Sequence, residues 1–258
     1  MKAITLLTDF GLKDPYVGIM KGVILSINPQ VHVIDMSHDV EPQDVTEACF
    51  LVKEYAPFFR KGTIHLCVVD PTVGSERRAI VLMHAGQLFV GPDNGLFTLL
   101  FDAQSAVYEI TNRSYMASRV SNTFHGRDIF APVAAHLSLG LNPAALGKQI
   151  ADPVHLSGVH PTQKGRLLMG HIIRFDRFGN AISNISADAL NAFHKGKPFR
   201  VELGGLSFDR LNRTYVEDTY TCLEGSSGYI EFATFKGSIA QVKGIRKNDP
   251  VVVRLTSA

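Results

Sequence analysis

The chain has no tryptophan, three cysteines and no long uninterrupted apolar run. Without such a run, no segment reads as a membrane-spanning helix. Met1 leads directly into a short strand-like stretch, with no basic region, apolar core or small-residue cleavage site ahead of it. A cytoplasmic protein with no membrane association is therefore expected. Cys49, Cys67 and Cys222 are odd in number, widely spaced and set among apolar neighbours, which fits buried thiols better than disulfides or a metal site. Lys and Arg number 26 against 24 Asp and Glu, a net charge of +2 spread along the chain. That leaves no concentrated basic patch, so nucleic acid is not an expected partner. Neither GxGxxG nor GxxxxGK[ST] occurs, which removes the standard dinucleotide fingerprint and the P-loop. None of the 10 histidines pairs with a second His or a Cys at metal-ligand spacing, and no metal site is expected.

What is present is a well-filled globular sequence: 258 residues, 45% hydrophobic and 19% charged, enough for one large domain or two small ones. Ala3 to Thr8 reads as a strand, Tyr16 to Ile27 as a helix with apolar residues at helical spacing, and Val31 to Met36 as a second strand. Asp44 can cap a helix running to about Phe59, and the β-branched, apolar run from Thr63 predicts a strand buried on both faces. Strand, helix, strand, helix, strand predicts right-handed βαβ units and a mostly parallel sheet. Ala79 to His84 and Leu88 to Val90 read as a hairpin, Val107 to Ile110 as a strand, and Ile129 to Leu139 as a helix. The Pro-, Gly- and His-rich stretch between Asn142 and Gly165 lacks any period and is the expected linker. Beyond it, short strand candidates separated by turns predict a small antiparallel β-barrel domain. The expected division is 1–155 for the α/β domain and 156–258 for the barrel.

Several polar residues fall where such a fold places ligands. Asp70 ends the Thr63 strand, because Pro71 cannot continue the ladder and Gly74 permits an unusual backbone angle. Asp9 ends the first strand, and His125 and Gly126 stand just ahead of a helix, whose free N–H groups favour negative charge. In open α/β sheets ligands bind at the carboxyl edge of the strands, so Asp9, Asp70 and His125 should share one edge. Taken alone, Asp70 with Arg77 and Arg78 fits a capped turn and a surface ion pair as well as chemistry, and Phe175 to Asn180 fits a plain hairpin turn. Thr8 to Gly11 spells a kinase metal-binding motif, but no Gly-rich loop, strand lysine or catalytic loop accompanies it.

Six stretches stand in order along nearly the whole chain: TDFG at Thr8, VVDPTVGSERR ending at Arg78, GPDNG at Gly91, TFHGRDIFAPVAAHL ending at Leu137, FDRFGN at Phe175 and GSSGYIEFA at Gly225. Together they resemble the S-adenosyl-L-methionine hydrolases, or hydroxide adenosyltransferases, relatives of fluorinase and chlorinase. The resemblance implies an α/β domain joined to a β-barrel, and cleavage of S-adenosyl-L-methionine at C5′ by water or hydroxide to give adenosine and methionine. It implies no cofactor, S-adenosyl-L-methionine being the substrate, and a homotrimer with sites at subunit interfaces. By the same resemblance Asp70, Arg77 and His125 activate water. Gly126 leaves room for close approach and offers a backbone donor. Asp9 binds the ribose hydroxyls, Asp176 holds the methionine amino group, Phe178 and Asn180 meet the adenine, and Ser226 and Ser227 meet the methionine carboxylate. The halogenating relatives carry an aromatic residue at the Asp70 position, so this chain fits a hydrolase. Thr234-Phe235 stands where many hydrolases have Val-Asn, so by the same resemblance the adenine-side contact of that Asn is lost or replaced.

Two other readings stay open at this stage. A metal-dependent nucleotide hydrolase uses the same Asp and His types, and would lose activity with chelator. A non-catalytic module would bind adenosine compounds without turnover.

Overall fold

A computed structural model describes residues 2–256, and the chain falls into two compact units, Met1–Leu156 and Ser157–Ala258. The first unit opens with strand β1 (Ala3–Thr8), helix α1 (Tyr16–Ile27), β2 (His32–Ser37), α2 (Val45–Tyr55) and β3 (Ile64–Val68). Asp44 caps α2 by accepting from the Glu47 N–H, the role its position predicts. The hairpin β4 (Ala79–His84) and β5 (Gln87–Pro92) turns through Ala85 and Gly86, both at positive φ. Then come β6 (Ala106–Glu109), α3 (Ala131–Ser138) and β7 (Gln149–Ile150).

The sheet order is β2-β1-β3-β5-β4-β6-β7. β1 pairs in parallel with β2 and β3, and β3 with β5, whereas β4, β6 and β7 add antiparallel pairings. Met20 and Ile24 of α1 pack on one face with α3; Ala48 and Val52 of α2 pack on the other. The chain thus leaves β1 on one side and returns to β3 on the other. That reversal opens a crevice beyond the carboxyl ends of β1 and β3, the place where ligands bind in such sheets. All five residues of β3 are buried, as its apolar run predicts.

One expectation needs correction. The helix predicted from Ile129 begins earlier, with a wide π turn over Gly126–Phe130 in which the Ala131 N–H reaches the Gly126 carbonyl. Pro132 has no N–H to give the Asp128 carbonyl. The Ala117 N–H, at 2.8 Å, takes that carbonyl instead. The boundary between the two units, Leu156 to Ser157, falls inside residues 142–165, a stretch that is itself tied down: Thr111 N–H bonds the Leu146 carbonyl, β7 pairs with β6, and Val154 and Leu156 N–H groups bond Asp93 and Thr98 side chains. These are single, irregular bonds, which leave no period to read.

The second unit contains β8 (Thr162–Lys164), β9 (Leu167–Phe175), β10 (Ala181–Ser186), α4 (Ala187–His194), β11 (Phe199–Leu203), β12 (Leu206–Phe208), β13 (Tyr220–Glu224), β14 (Tyr229–Thr234), α5 (Ile239–Lys243) and β15 (Pro250–Leu255). The strands are antiparallel in the order β12-β11-β15-β9-β10-β14-β13, with β8 on β9. Asn212, just past β12 at one end, exchanges backbone and side-chain bonds with Cys222 of β13 at the other, which draws the sheet into a barrel. Sequence reading missed β10, because Ser183 and Asn184 interrupt its apolar pattern. Both are buried and bonded, Ser183 to the Ile230 carbonyl and Asn184 to the His171 N–H and Gly158 carbonyl.

Candidate active site

At the carboxyl edge of the first sheet, Asp70 lies two residues beyond β3 and its side chain is 4% exposed. The turn that follows needs Gly74, whose φ is +81° and whose place against the Asn122 carbonyl leaves no room for a Cβ. It returns the chain so that Arg77 faces Asp70. Arg77 Nε donates to both Asp70 oxygens, at 3.1 and 2.9 Å, and a terminal nitrogen donates to Oδ2 at 2.5 Å. That second nitrogen also meets His125 Nδ1 at 2.6 Å. The guanidinium rests over the Phe130 ring, 5.3 Å from its centroid. Asp70, Arg77 and His125 are therefore one bonded unit with the cation in the middle.

This order decides the state of the histidine. A guanidinium only donates, so Nδ1 of His125 accepts and the neutral ring carries its proton on Nε2. Burial first, and the Arg77 charge second, hold the His125 pKa below its ordinary value, both favouring that neutral form. With Nδ1 occupied and Nε2 protonated, His125 is a hydrogen-bond donor toward the site rather than a base.

Asp9 ends β1 beside this unit. Its Oδ2 accepts the Gln43 N–H at 2.8 Å, and Gln43 reaches there with φ +69°. Burial raises the Asp9 pKa, the Gln43 bond opposes the shift, and the charge on Asp70 adds to it. Gly126 is buried, and a Cβ there would crowd Met20 Sδ at 3.1 Å and the Phe124 ring at 3.3 Å, so the room it leaves is taken by packing neighbours. Phe124 stacks edge-on with Phe10 and Tyr16, closing an aromatic wall next to Asp9.

In the second unit Asp176 organises its own turn. Oδ1 accepts from the Phe178 and Asn180 N–H groups, and Oδ2 from the Asn180 amide, each at 2.9 Å. Phe178 is left 78% exposed, while Asn180 is 7% exposed. Both line a cavity of about 370 Å³ together with Tyr215, Thr234, Phe235 and Ser238. Tyr215 donates to Glu231 at 2.9 Å, and burial, then the Glu231 bond, push its hydroxyl up to about 12. Ser226 and Ser227 belong to a different turn, between β13 and β14, and do not line that cavity.

Comparison with known proteins follows the same two-part division. The SAM hydroxide adenosyltransferase N-terminal domain matches residues 4–147, and the C-terminal domain of the same family matches 170–252. The chain belongs to the SAM hydroxide adenosyltransferase family. An (R)-S-adenosyl-L-methionine hydrolase of Thermus thermophilus is 36% identical over 97% of this chain and 99% of its own length. One of Methanocaldococcus jannaschii is 31% identical over 97% and 95%. The crystal structure of an uncharacterized conserved protein from Thermotoga maritima superposes with a TM-score of 0.86 at 34% identity, covering 98% of this chain and all of that one.

For this hydroxide adenosyltransferase, several supporting residues escaped sequence reading. Arg78 turns away from the site. It holds Asp93, whose side chain is 2% exposed, and Asp152. Asn94 donates to the Val69 carbonyl at 2.9 Å and so fixes the strand end that carries Asp70. The GPDNG motif is thus a brace for the Asp70 turn. Its turn composition and its place among the six ordered stretches were the signals, and neither names a partner 25 residues away. Among the described residues, no group of three or more His, Cys, Asp or Glu side chains is placed to hold a metal.

Proposed function

We propose that this chain hydrolyses S-adenosyl-L-methionine, water attacking C5′ to give adenosine and methionine, with no cofactor. The observation that carries the reading is Arg77 bonded at once to Asp70 and His125 at the β1/β3 edge, in a member of this family. Methionine leaves a sulfonium centre as a neutral thioether, so no acid is needed to protonate it. What the site must supply is a water held in line with the breaking bond, with few competing solvent contacts. His125 Nε2–H orients that oxygen, the Arg77 charge stabilises it as it becomes hydroxide-like, and the Asp70 carboxylate is the group with lone pairs on offer for its proton. Asp9 takes the ribose hydroxyls. Asp176 and the turn residues Ser226 and Ser227 take the amino and carboxylate groups of methionine. Phe178 supplies a face for adenine and Asn180 an edge.

Asp70 also supports hydrolysis over halide transfer, because a carboxylate repels an anion that cannot share its proton. The deciding experiment is turnover in ¹⁸O-water with excess chloride or fluoride, followed by mass spectrometry of the nucleoside. Equal adenosine and methionine, with the label in the 5′-hydroxyl and no effect of chelator, is the expected result. Unlabelled adenosine or a 5′-halo nucleoside would sink the reading, and chelator sensitivity would revive a metal-dependent hydrolase.

The reading includes a homotrimer, with one subunit's α/β domain and the next subunit's barrel completing each site. It is supported by site groups in both compact units and by the exposed rings of Phe178 and Phe235, which need cover. Mixing Asp70→Ala and Asp176→Ala subunits should then restore part of the activity, and verified mixed trimers with none would place each site within one chain. A cytoplasmic setting belongs to the same reading and is supported by three free, buried thiols.

A further inference from the structure

A cleft of about 470 Å³ in the first unit reaches the Arg77–His125 pair without being lined by Asp9 or Asp70. Its rim carries the exposed residues Glu76, Thr111 and Asn122, its floor is the buried Ile129, and Arg77 and His125 form part of its inner wall. The cleft is built, since two contacts anchor the segment that walls it. Gly74 lies directly against the Asn122 carbonyl. Asp128, 2% exposed, accepts the Ser121 N–H at 2.8 Å and through its own carbonyl the Ala117 N–H at 2.8 Å. Arg127 pairs with Asp128 from its more exposed side, and the Asp128 charge acts on His125 as well.

In-line displacement needs the oxygen on the side of C5′ opposite the sulfur. On the reading above the substrate sits at the strand edge by Asp9, and the cleft approaches the pair from a side that neither Asp9 nor Asp70 lines. Resting on the hydrolytic reading above, we infer that this cleft is the route by which water reaches the Arg77–His125 pair. One water enters per turnover. Its oxygen bonds C5′ as the C5′–S bond breaks with both electrons on sulfur, and its proton passes to the Asp70 carboxylate, as in the reading above.

The test is to narrow the cleft at two of its exposed lining residues with Thr111→Trp and Asn122→Trp. Both side chains are exposed, and because the chain has no tryptophan each new indole reports folding by its own fluorescence. Expected is a fall in kcat of about tenfold or more with KM for S-adenosyl-L-methionine held within about twofold, the pattern of a step impaired after binding. Two outcomes overturn the inference: kcat kept within about twofold in both folded variants, or KM raised about tenfold, which would make the cleft part of the substrate pocket. Wild-type protein that forms no adenosine fails the hydrolytic reading itself; active wild type with unaffected variants fails the cleft alone.

Discussion

The Asp70 cluster of the first unit and the Asp176 turn of the second both rest on a carboxylate that gathers N–H donors, but the donors differ in origin. Asp176 holds the backbone N–H groups two and four residues on, so its geometry is local and would form wherever this turn forms. Asp70 holds a side-chain cation seven residues on, and that cation holds a histidine 48 residues further. Local bonding uses up a carboxylate in shaping its own loop. Bonding across elements holds charged groups in an arrangement the chain could not keep alone, with the Nε2–H of His125 left to act on a ligand. A second contrast lies inside the first cluster. Arg77 and Arg78 are adjacent, yet one serves the site and the other braces it through Asp93 and Asp152.

The largest effect is expected where the cross-element unit loses its charge. Asp70→Asn keeps the shape but removes the basicity and the partner of Arg77, so kcat should fall by roughly two or more orders of magnitude with KM little changed. Steady-state kinetics checks this, and an unaffected kcat would reduce Asp70 to a structural cap. Asp176→Ala should instead raise KM, by about tenfold, since it removes the group proposed to bind the amino end while the water-activating unit stays intact. If only stability changes, the turn is no more than a turn.

Arg78→Ala is expected to cost about 2 kcal/mol, because it leaves the buried Asp93 carboxylate without its cation. Denaturant midpoints measure it, and activity per folded molecule should stay near wild type; a kcat loss like that of Asp70→Asn would erase the distinction between the two arginines. The smallest effect concerns pH. Protonating His125 removes the acceptor that Arg77 uses and sets two cations together. Since burial and Arg77 lower its pKa, the acid limb of kcat/KM should fall below the ordinary imidazole value of about 6.5. An acid limb above that value would mean a protonated, catalytically engaged histidine and reverse the assignment of its nitrogens.

Much of the fold was legible because its elements carry strong local patterns. β1, α1, β9, β11 and β14 follow apolar periodicity and turn residues that can be read without knowing any partner. Asp9, Asp70 and His125 were legible as a group because strand ends and helix starts in an α/β sheet face one edge. What escaped has a physical reason in each case. β10 is stabilised by buried polar bonds instead of alternation, and the early start of the α3 segment depends on Ala117 supplying the N–H that Pro132 lacks. The brace from Asn94 to Val69 and the hold of Asp128 on Ser121 join residues that only folding brings together.

By itself the sequence determined the two-part architecture, the family and the residue types available for chemistry, since these depend on composition, local periodicity and ordered motifs. Only the tertiary structure decided which arginine enters the site, which nitrogen of His125 accepts, and that a second opening reaches the pair. Each of those depends on distances between side chains far apart in the chain, and a one-dimensional pattern holds no distances.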